Sequence, residues 1–273
     1  MTTATPLAAR HPDVTERALV ACDIDGTLVR TGHPVRPAVR AAAAKVRAAG
    51  HHIVLATGRS LTGAIPVALQ LGLQDAWIVA SNGAITAHLI DGHYEITEQH
   101  LVDTEIAVRV ALRTTPGVRI AAEIPGDGYR VNLPFPEGQL NGVQNSVRAL
   151  EELWSHPTPR LAMHDPAAYR LVPDLQAHGL TAVAPQGRSD WIDVTANGIS
   201  KATALEKIRA LLGVEDYDTV SIGDSDNDLE MLEWATCGIA MGHAPAHVRA
   251  AADTVTGTID DDGAASALLS LLD

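Results

Sequence analysis

Aromatic side chains are scarce in this chain: one Phe, four Trp and four Tyr, or 3% of 273 residues. Few rings are therefore available to stack on bases. Basic residues are also in deficit, 20 against 33 acidic ones for a net charge of −13, so a phosphate backbone is repelled and nucleic acid is not an expected partner. Cysteine is limited to Cys22 and Cys237, with no CxxC spacing, which argues against a thiolate zinc site or a disulfide framework. No uninterrupted apolar run approaches the roughly 18–20 residues needed to span a bilayer. Residues 1–17 carry no apolar segment of the signal-peptide kind. The expectation is a soluble, cytoplasmic protein without a membrane partner. Hydrophobic residues, at 46% against 19% charged, are plentiful enough for a core of Ala, Val, Leu and Ile, which disfavours disorder and coiled coil. The length suits two domains better than one.

The order of apolar runs sets the organisation. The run 18–22 ends in Asp23-Ile24-Asp25-Gly26-Thr27, the run 53–56 in Thr57-Gly58-Arg59-Ser60, and the run 77–80 in Ser81-Asn82-Gly83. Between them lie a helix opened by Pro37 and closed near Gly50, and a short helix expected after Pro66. Continuous apolar strands alternating with helices read as a parallel sheet covered on both faces. The rhythm then changes. Asp91-Gly92 between two strand-like runs is a two-residue hairpin signal. Further strands are expected at 118–124, 129–133, 182–184 and 191–194, with another around Met163. Asp103 suits a helix N-cap. Leu140, Val143, Val147, Leu150 and Trp154 fall at helical spacing and predict a longer helix. Parallel rhythm returns with a helix capped by Ser200 and Gly213, a strand at 219–222, and the cluster Asp224-Ser225-Asp226-Asn227-Asp228. The predicted fold is α/β: a Rossmann-like parallel-sheet core with helices on both faces, formed by residues 1–84 and 194–273 and interrupted by an inserted α+β cap domain at 85–193.

In an open parallel sheet, ligands bind beyond the carboxyl ends of the strands. Asp23/Asp25, Thr57 and Asp224/Asp228 end three such strands, so strand polarity brings them to one rim. Taken singly, each has an ordinary explanation. Asp23 and Asp25 also fit an Asx-type turn, and acidic residues in a first helical turn stabilise the helix dipole. An EF-hand is excluded, because Leu229 stands where the loop needs Gly and Ala235 where it needs a bidentate Glu. Together, two acidic clusters on one rim point to a hard cation with oxygen ligands, Mg²⁺ first. Lys201, in the first turn of its helix, offers positive charge for an anionic substrate, and Thr57-Gly58 offers a hydroxyl and backbone N–H groups. No GxSxG elbow, Walker A loop, HExxH or GxGxxG is present. His51, His52, His243 and His247 lack ligand spacing, and Cys22 suits a buried strand position.

These residues resemble the four motifs of the haloacid dehalogenase superfamily of phosphohydrolases. Asp23-Ile24-Asp25-Gly26-Thr27 is similar to its DxDGT signature, Thr57 to its second motif, Lys201 to its third, and Gly223-Asp224 through Asn227-Asp228 to its GDxxND fourth. Within it the Cof-type branch is the nearer match, through Ala56-Thr57-Gly58-Arg59, Ser81-Asn82-Gly83-Ala84, the large insert and Ile239-Ala240-Met241-Gly242. His243 departs from that branch, which usually has Asn there. The resemblance implies a Mg²⁺-dependent phosphatase acting on small phosphorylated metabolites, sugar phosphates foremost, through an aspartyl-phosphate. Asp23 would be the nucleophile and Asp25 the general acid and base. Asp23, the backbone carbonyl of Asp25 and Asp224 would hold the metal. Thr57, Gly58, Lys201 and Asn227 would bind phosphate, with Asp228 supporting from behind. Arg59 is a candidate for substrate contact or for a salt bridge, Asn82 for substrate contact, and Arg130, His164 and Arg188 for cap contacts. A phosphotransferase or phosphomutase using the same intermediate, and a non-catalytic phosphosugar-binding protein, are the alternatives. No motif specifies the subunit number or the individual substrate.

Overall fold

The computed structural model describes residues 17–185 and 188–272. Residues 1–16, in the segment read above for a signal-peptide pattern, lie outside this range. In chain order the regular elements begin with β1 (Leu19–Cys22), α1 (Pro37–Ala48), β2 (His52–Ala56), α2 (Leu61–Gln70), β3 (Asp75–Ala80), β4 (Ile85–Ile90) and β5 (His93–Gln99). Next come α3 (Thr104–Thr114), β6 (Arg119–Ile124), β7 (Gly128–Val131), β8 (Val143–Ser146), β9 (Leu161–His164), α4 (Val172–Ala177), β10 (Leu180–Val183) and β11 (Trp191–Ala196). The chain finishes with α5 (Lys201–Leu212), β12 (Thr219–Gly223), α6 (Leu229–Trp234), β13 (Cys237–Ala240), α7 (Ala246–Ala251), β14 (Thr254–Val255) and α8 (Gly263–Leu269). Among the described residues no helix is long and apolar enough to cross a membrane.

Two sheets result. The first has the order β14-β13-β12-β1-β2-β3-β4-β5, parallel from β14 to β3. Alternation along its strands feeds two cores. Val20, Cys22, Leu55, Ile78 and Ile222 pack with α1, α2 and α8 on one face, while Leu19, Ala21, Val54 and Val79 pack with Leu205 and Ile208 of α5 on the other. Burial on both faces is why these strands read as unbroken apolar runs. The second sheet has the order β10-β11-β9-β6-β7-β8. Its outer face carries Ile120, Ala122, Met163, Ile192 and Val194 against α3 and α4; its inner face carries Ala121, Tyr129, Val131, Ala162 and Trp191.

Three expectations are revised. The Asp91-Gly92 hairpin forms, with both residues at positive φ (49° and 80°), but β4 and β5 extend the first sheet and do not join the insert. Ile85, Ala87 and Leu89 are fully buried in the first core, and that packing fixes the sheet to which the hairpin belongs. The second sheet correspondingly runs on to Ala196, past the expected boundary at 193. The helix predicted through Leu140 and Trp154 is absent: Val143–Ser146 pairs in parallel with β7, and only a 3-10 turn follows at Leu150–Leu153. Helix α2 starts at Leu61, ahead of Pro66, because Leu61, Ala64, Val67 and Ala68 form one buried stripe whose packing outweighs the backbone bond that proline removes.

Candidate active site

β1 stops at Cys22, yet the Asp23 N–H continues the ladder by donating to the Ile222 carbonyl at 3.0 Å. This sets the Asp23 side chain, 4% exposed, at the carboxyl end of the sheet beside the end of β12. The chain then turns at Gly26, whose φ of +83° suits glycine. A Cβ there would also lie 2.3 Å from Asp224 Oδ2, so the turn admits the Asp224 carboxylate only because Gly26 has no side chain. Gly223 serves the same purpose for Asp228, whose Cβ lies 2.6 Å from where a side chain would begin.

Lys201 joins the two acidic segments. Its Nζ donates to Asp23 Oδ1 and to Asp228 Oδ1, each at 2.6 Å, and its side chain is wholly buried. Burial opposes the ammonium charge, but Asp228 and Asp23 outweigh it and hold the Lys201 pKa above its usual value. Asp228 Oδ2 accepts from the N–H groups of Asp224 (2.9 Å) and Ser225 (3.0 Å). Both oxygens of Asp228 are thus engaged, which makes it a brace. Asp224 Oδ1 accepts from the Thr27 hydroxyl at 2.8 Å. Asp23 Oδ2 and Asp224 Oδ2 accept no hydrogen bond among the described residues, and ligand oxygens of Asp23, Asp224 and Asp228 lie within 4.8 Å of one another.

Crowded buried carboxylates resist ionisation. Burial pushes Asp23 well above the usual carboxylate range, Asp228 and Asp224 add to it, and Lys201 pulls the other way. Burial and the Asp228 charge raise Asp224 to about 7. Two free carboxylate oxygens in such a site match the donor set of a hard divalent cation, and a cation there would relieve the repulsion. Among the expected metal ligands, Asp23 and Asp224 fit on this ground. His243 stands next to them, with Nε2 at 3.9 Å from Asp224 Oδ2, and burial lowers its pKa, which favours the neutral ring.

The phosphate-binding candidates occupy the adjoining strand end. The Thr57 N–H is held by the Val79 carbonyl (2.8 Å), and its Oγ1 accepts from the Arg59 N–H (3.1 Å), leaving the hydroxyl hydrogen to donate. The Gly58 N–H meets no protein acceptor among the described residues. A Cβ on Gly58 would crowd Asn82 Oδ1 at 3.0 Å and Asn227 Nδ2 at 3.4 Å. Asn82, in a left-handed conformation (φ 56°), accepts from Asn227 Nδ2 at 2.9 Å and so steadies Asn227 from behind the cavity wall. Arg59 takes the salt-bridge option: Nε and Nη2 fork onto the two oxygens of Asp25, both at 2.6 Å. That pairing raises the Arg59 pKa against the effect of burial. Thr31 adds a hydroxyl to Asp25 Oδ1 at 2.9 Å. Lys201 and Asp228 lie beneath this surface and do not line it.

A cavity of about 880 Å³ opens over these groups, between the two sheets. Asp23, Asp25, Thr57, Gly58, Asp224 and Asn227 form its floor; Tyr129, Arg160, Arg188, Trp191 and Asp193 are among its upper wall. Of the three expected cap contacts only Arg188 borders it. His164 lies beside Phe135 and Trp191, and Arg130 is absent from the wall. Sequence reasoning missed a cluster on this inner face: Glu123, Tyr129, Arg160 and Asp193. The available signal was a charged residue at an inward position of an apolar strand, as in Ile120-Ala121-Ala122-Glu123-Ile124 and Trp191-Ile192-Asp193-Val194. Cys22, next to Asp23, is buried with its thiol pushed up to about 12 by burial first and Asp23 second, so it is unreactive.

Known proteins resemble this chain over nearly its whole length. The family model for haloacid dehalogenase-like hydrolases matches residues 20–114 and 177–268. The phosphoglycolate phosphatase of Natronomonas pharaonis is 32% identical over 257 residues, covering 92% of this chain and 96% of that protein. The 5-amino-6-(5-phospho-D-ribitylamino)uracil phosphatase of Bacillus subtilis is 27% identical over 260 residues, covering 92% and 96%. Among solved structures, a sugar phosphatase of HAD subclass IIB superposes with a TM-score of 0.78 at 26% identity, covering 92% of this chain and 98% of that one.

Proposed function

Because the chain belongs to the haloacid dehalogenase-like hydrolases, we propose that it is a Mg²⁺-dependent phosphatase of small phosphorylated metabolites, sugar phosphates foremost, working through an aspartyl-phosphate. The observation that carries this reading is the state of Asp23: one oxygen is fixed by Lys201, and the other faces a polar cavity beside Asp224.

One carboxylate oxygen of Asp23 attacks phosphorus, forming the Asp23–phosphorus bond as the bond to the leaving oxygen breaks, which divides one very slow displacement into two. Lys201 holds the attacking carboxylate in a single rotamer. The Thr57 hydroxyl, the Gly58 N–H and the Asn227 amide donate to the oxygens that gain charge. Asp25 protonates the leaving oxygen and then takes a proton from the water that releases inorganic phosphate. For this step Asp25 has to bear a proton, and Arg59 now occupies both of its oxygens. Substrate entry must therefore draw Arg59 away from Asp25, and the anionic phosphoryl group is the natural attractor. Asp23, Asp224 and the Asp25 backbone carbonyl would hold a divalent cation, which would supply positive charge to the transferring group. The inserted domain, redrawn as residues 100–196, closes over the cavity and selects the leaving group.

The test is phosphate release from p-nitrophenyl phosphate and a panel of phosphorylated metabolites, with and without Mg²⁺. Release that requires Mg²⁺ is expected. Transfer to a sugar hydroxyl in place of water would identify a phosphotransferase, and no turnover of any compound would leave a binding protein.

Metal binding also predicts a pH dependence. The folded-state pKa of Asp224 is raised from 3.8 to about 7, so its contribution favours the metal-free fold below its unfolded pKa and is lost as pH rises through about 7. Mg²⁺ competes with that proton. Added Mg²⁺ should raise Tm more at about pH 8 than at about pH 6. At a hundredfold excess over Kd the stabilisation is about 2.7 kcal/mol, or on the order of 5–10 °C for a chain of this size. A Tm increment that does not vary with pH would remove Asp224 from the metal site.

A further inference from the structure

The inner face of the second sheet holds a charge that takes no part in the phosphoryl transfer. Arg160 immediately precedes β9, on the same face as Ala162, and its side chain is only 5% exposed. All three of its guanidinium nitrogens are engaged. Nε donates to Glu123 Oε2 at 2.9 Å, and Nη2 to the Tyr129 hydroxyl at 2.9 Å. Nη1 donates to Asp193 Oδ1 at 2.9 Å and to the backbone carbonyl of Gly58 at 3.0 Å. Glu123 in turn accepts from the Ser81 hydroxyl at 2.8 Å. The Ser81–Glu123 and Gly58–Arg160 hydrogen bonds thus cross from the first sheet's loops to the second sheet, and the latter ends on the phosphate-binding loop.

Two carboxylates compensate Arg160, so it retains little charge for an anion and is poorly suited to hold phosphate directly. Its leverage is geometric. The Gly58 carbonyl and the Arg59 N–H belong to one rigid peptide plane. Arg160 holds the carbonyl end, and Thr57 Oγ1 accepts from the N–H end at 3.1 Å. Rotation of this plane turns the Thr57 hydroxyl out of line.

We infer that Arg160 is a positioning residue, which fixes the Gly58–Arg59 peptide and so aims the Thr57 hydroxyl at the transferring phosphoryl group only while the inserted domain is closed. This role rests on the phosphatase reading. Closure and completion of the phosphate pocket are then a single event, and an open molecule is protected from idle chemistry with water.

The test uses the full chain carrying Arg160→Lys. Lysine keeps the charge that Glu123 and Asp193 require, but a single ammonium with three hydrogens cannot serve four acceptors arranged around a planar fork. Displacement of the loop should lower kcat about 10- to 100-fold. The same factor is expected for p-nitrophenyl phosphate and for a sugar phosphate, with KM less affected, because both present the same phosphoryl group. Inhibition by orthovanadate should weaken in parallel. Ser81→Gly, suited to the left-handed φ of 52° at that position, removes the hydroxyl bond to Glu123 and leaves the Gly58 contact. It should change kcat less than about threefold. A loss confined to the sugar phosphate, an unchanged kcat, or an equal loss in Ser81→Gly would each overturn the role assigned to Arg160. A wild-type chain that releases phosphate from neither compound overturns the phosphatase reading itself, and this role with it.

Discussion

Asp23→Asn should reduce phosphate release by at least about 10⁴-fold, and the metal-free protein should melt no lower than the wild type. The two effects have separate causes. Asp23 is buried against the carboxylates of Asp224 and Asp228 with Lys201 to offset them, and its ionisation is correspondingly suppressed. A neutral amide of the same shape removes one charge from the cluster and leaves Lys201 paired with Asp228. It also removes the nucleophile. Single-turnover assays for kcat and thermal melts in a metal chelator check the two halves separately. Turnover within tenfold of wild type would falsify the covalent step.

Lys201→Met should have the larger effect on the fold. It strips the cation from between Asp23 and Asp228, each of which the lysine contacts at 2.6 Å in a fully buried position. Breaking a buried pair by removing one partner typically destabilises by about 3–5 kcal/mol, because the remaining charges stay uncompensated. For a chain of this length that is a fall on the order of 10 °C in Tm. Raising the pH should deepen the defect, since Asp23, whose pKa burial holds well above the usual carboxylate range, must then ionise without a cation beside it. Part of the loss should return with Mg²⁺, which would supply positive charge to Asp23 and to the adjacent Asp224. A Lys201→Met variant that melts with the wild type would show that the lysine contributes nothing to holding the acidic clusters together.

The two acidic clusters and Thr57 were legible in the sequence because they interrupt strands buried on both faces, where polar residues stand out. Asp23, Asp224 and Thr57 do meet at one rim, as strand polarity requires. What the sequence concealed were decisions made at long range. The spacing of Leu140, Val143, Val147, Leu150 and Trp154 is helical, but Gly138 and Gly142 take φ of 78° and 104°, and Val143 finds a partner strand beside Gly128. A Cβ on Gly128 would lie 2.2 Å from the Val143 carbonyl oxygen, so this pairing depends on a residue of the preceding strand. The Asp91-Gly92 turn was readable, whereas the sheet that receives its strands was not, because β3 offers a free edge that local pattern does not reveal. Arg160 was passed over for a different reason. A single arginine beside an apolar strand looks like a solvated flank until Glu123, Asp193 and Gly58 are seen around it.

The strand order has a consequence for how the molecule is made. β1 lies between β2 and β12, and the register of that second pairing joins Leu19 to Thr219 and Cys22 to Ile222. During synthesis the earliest strand therefore keeps one edge bare until most of the chain has left the ribosome. The inserted sheet, whose strands are closer neighbours in sequence, is free to assemble in the interval. Nascent chains halted short of β12 should thus be prone to edge-to-edge aggregation.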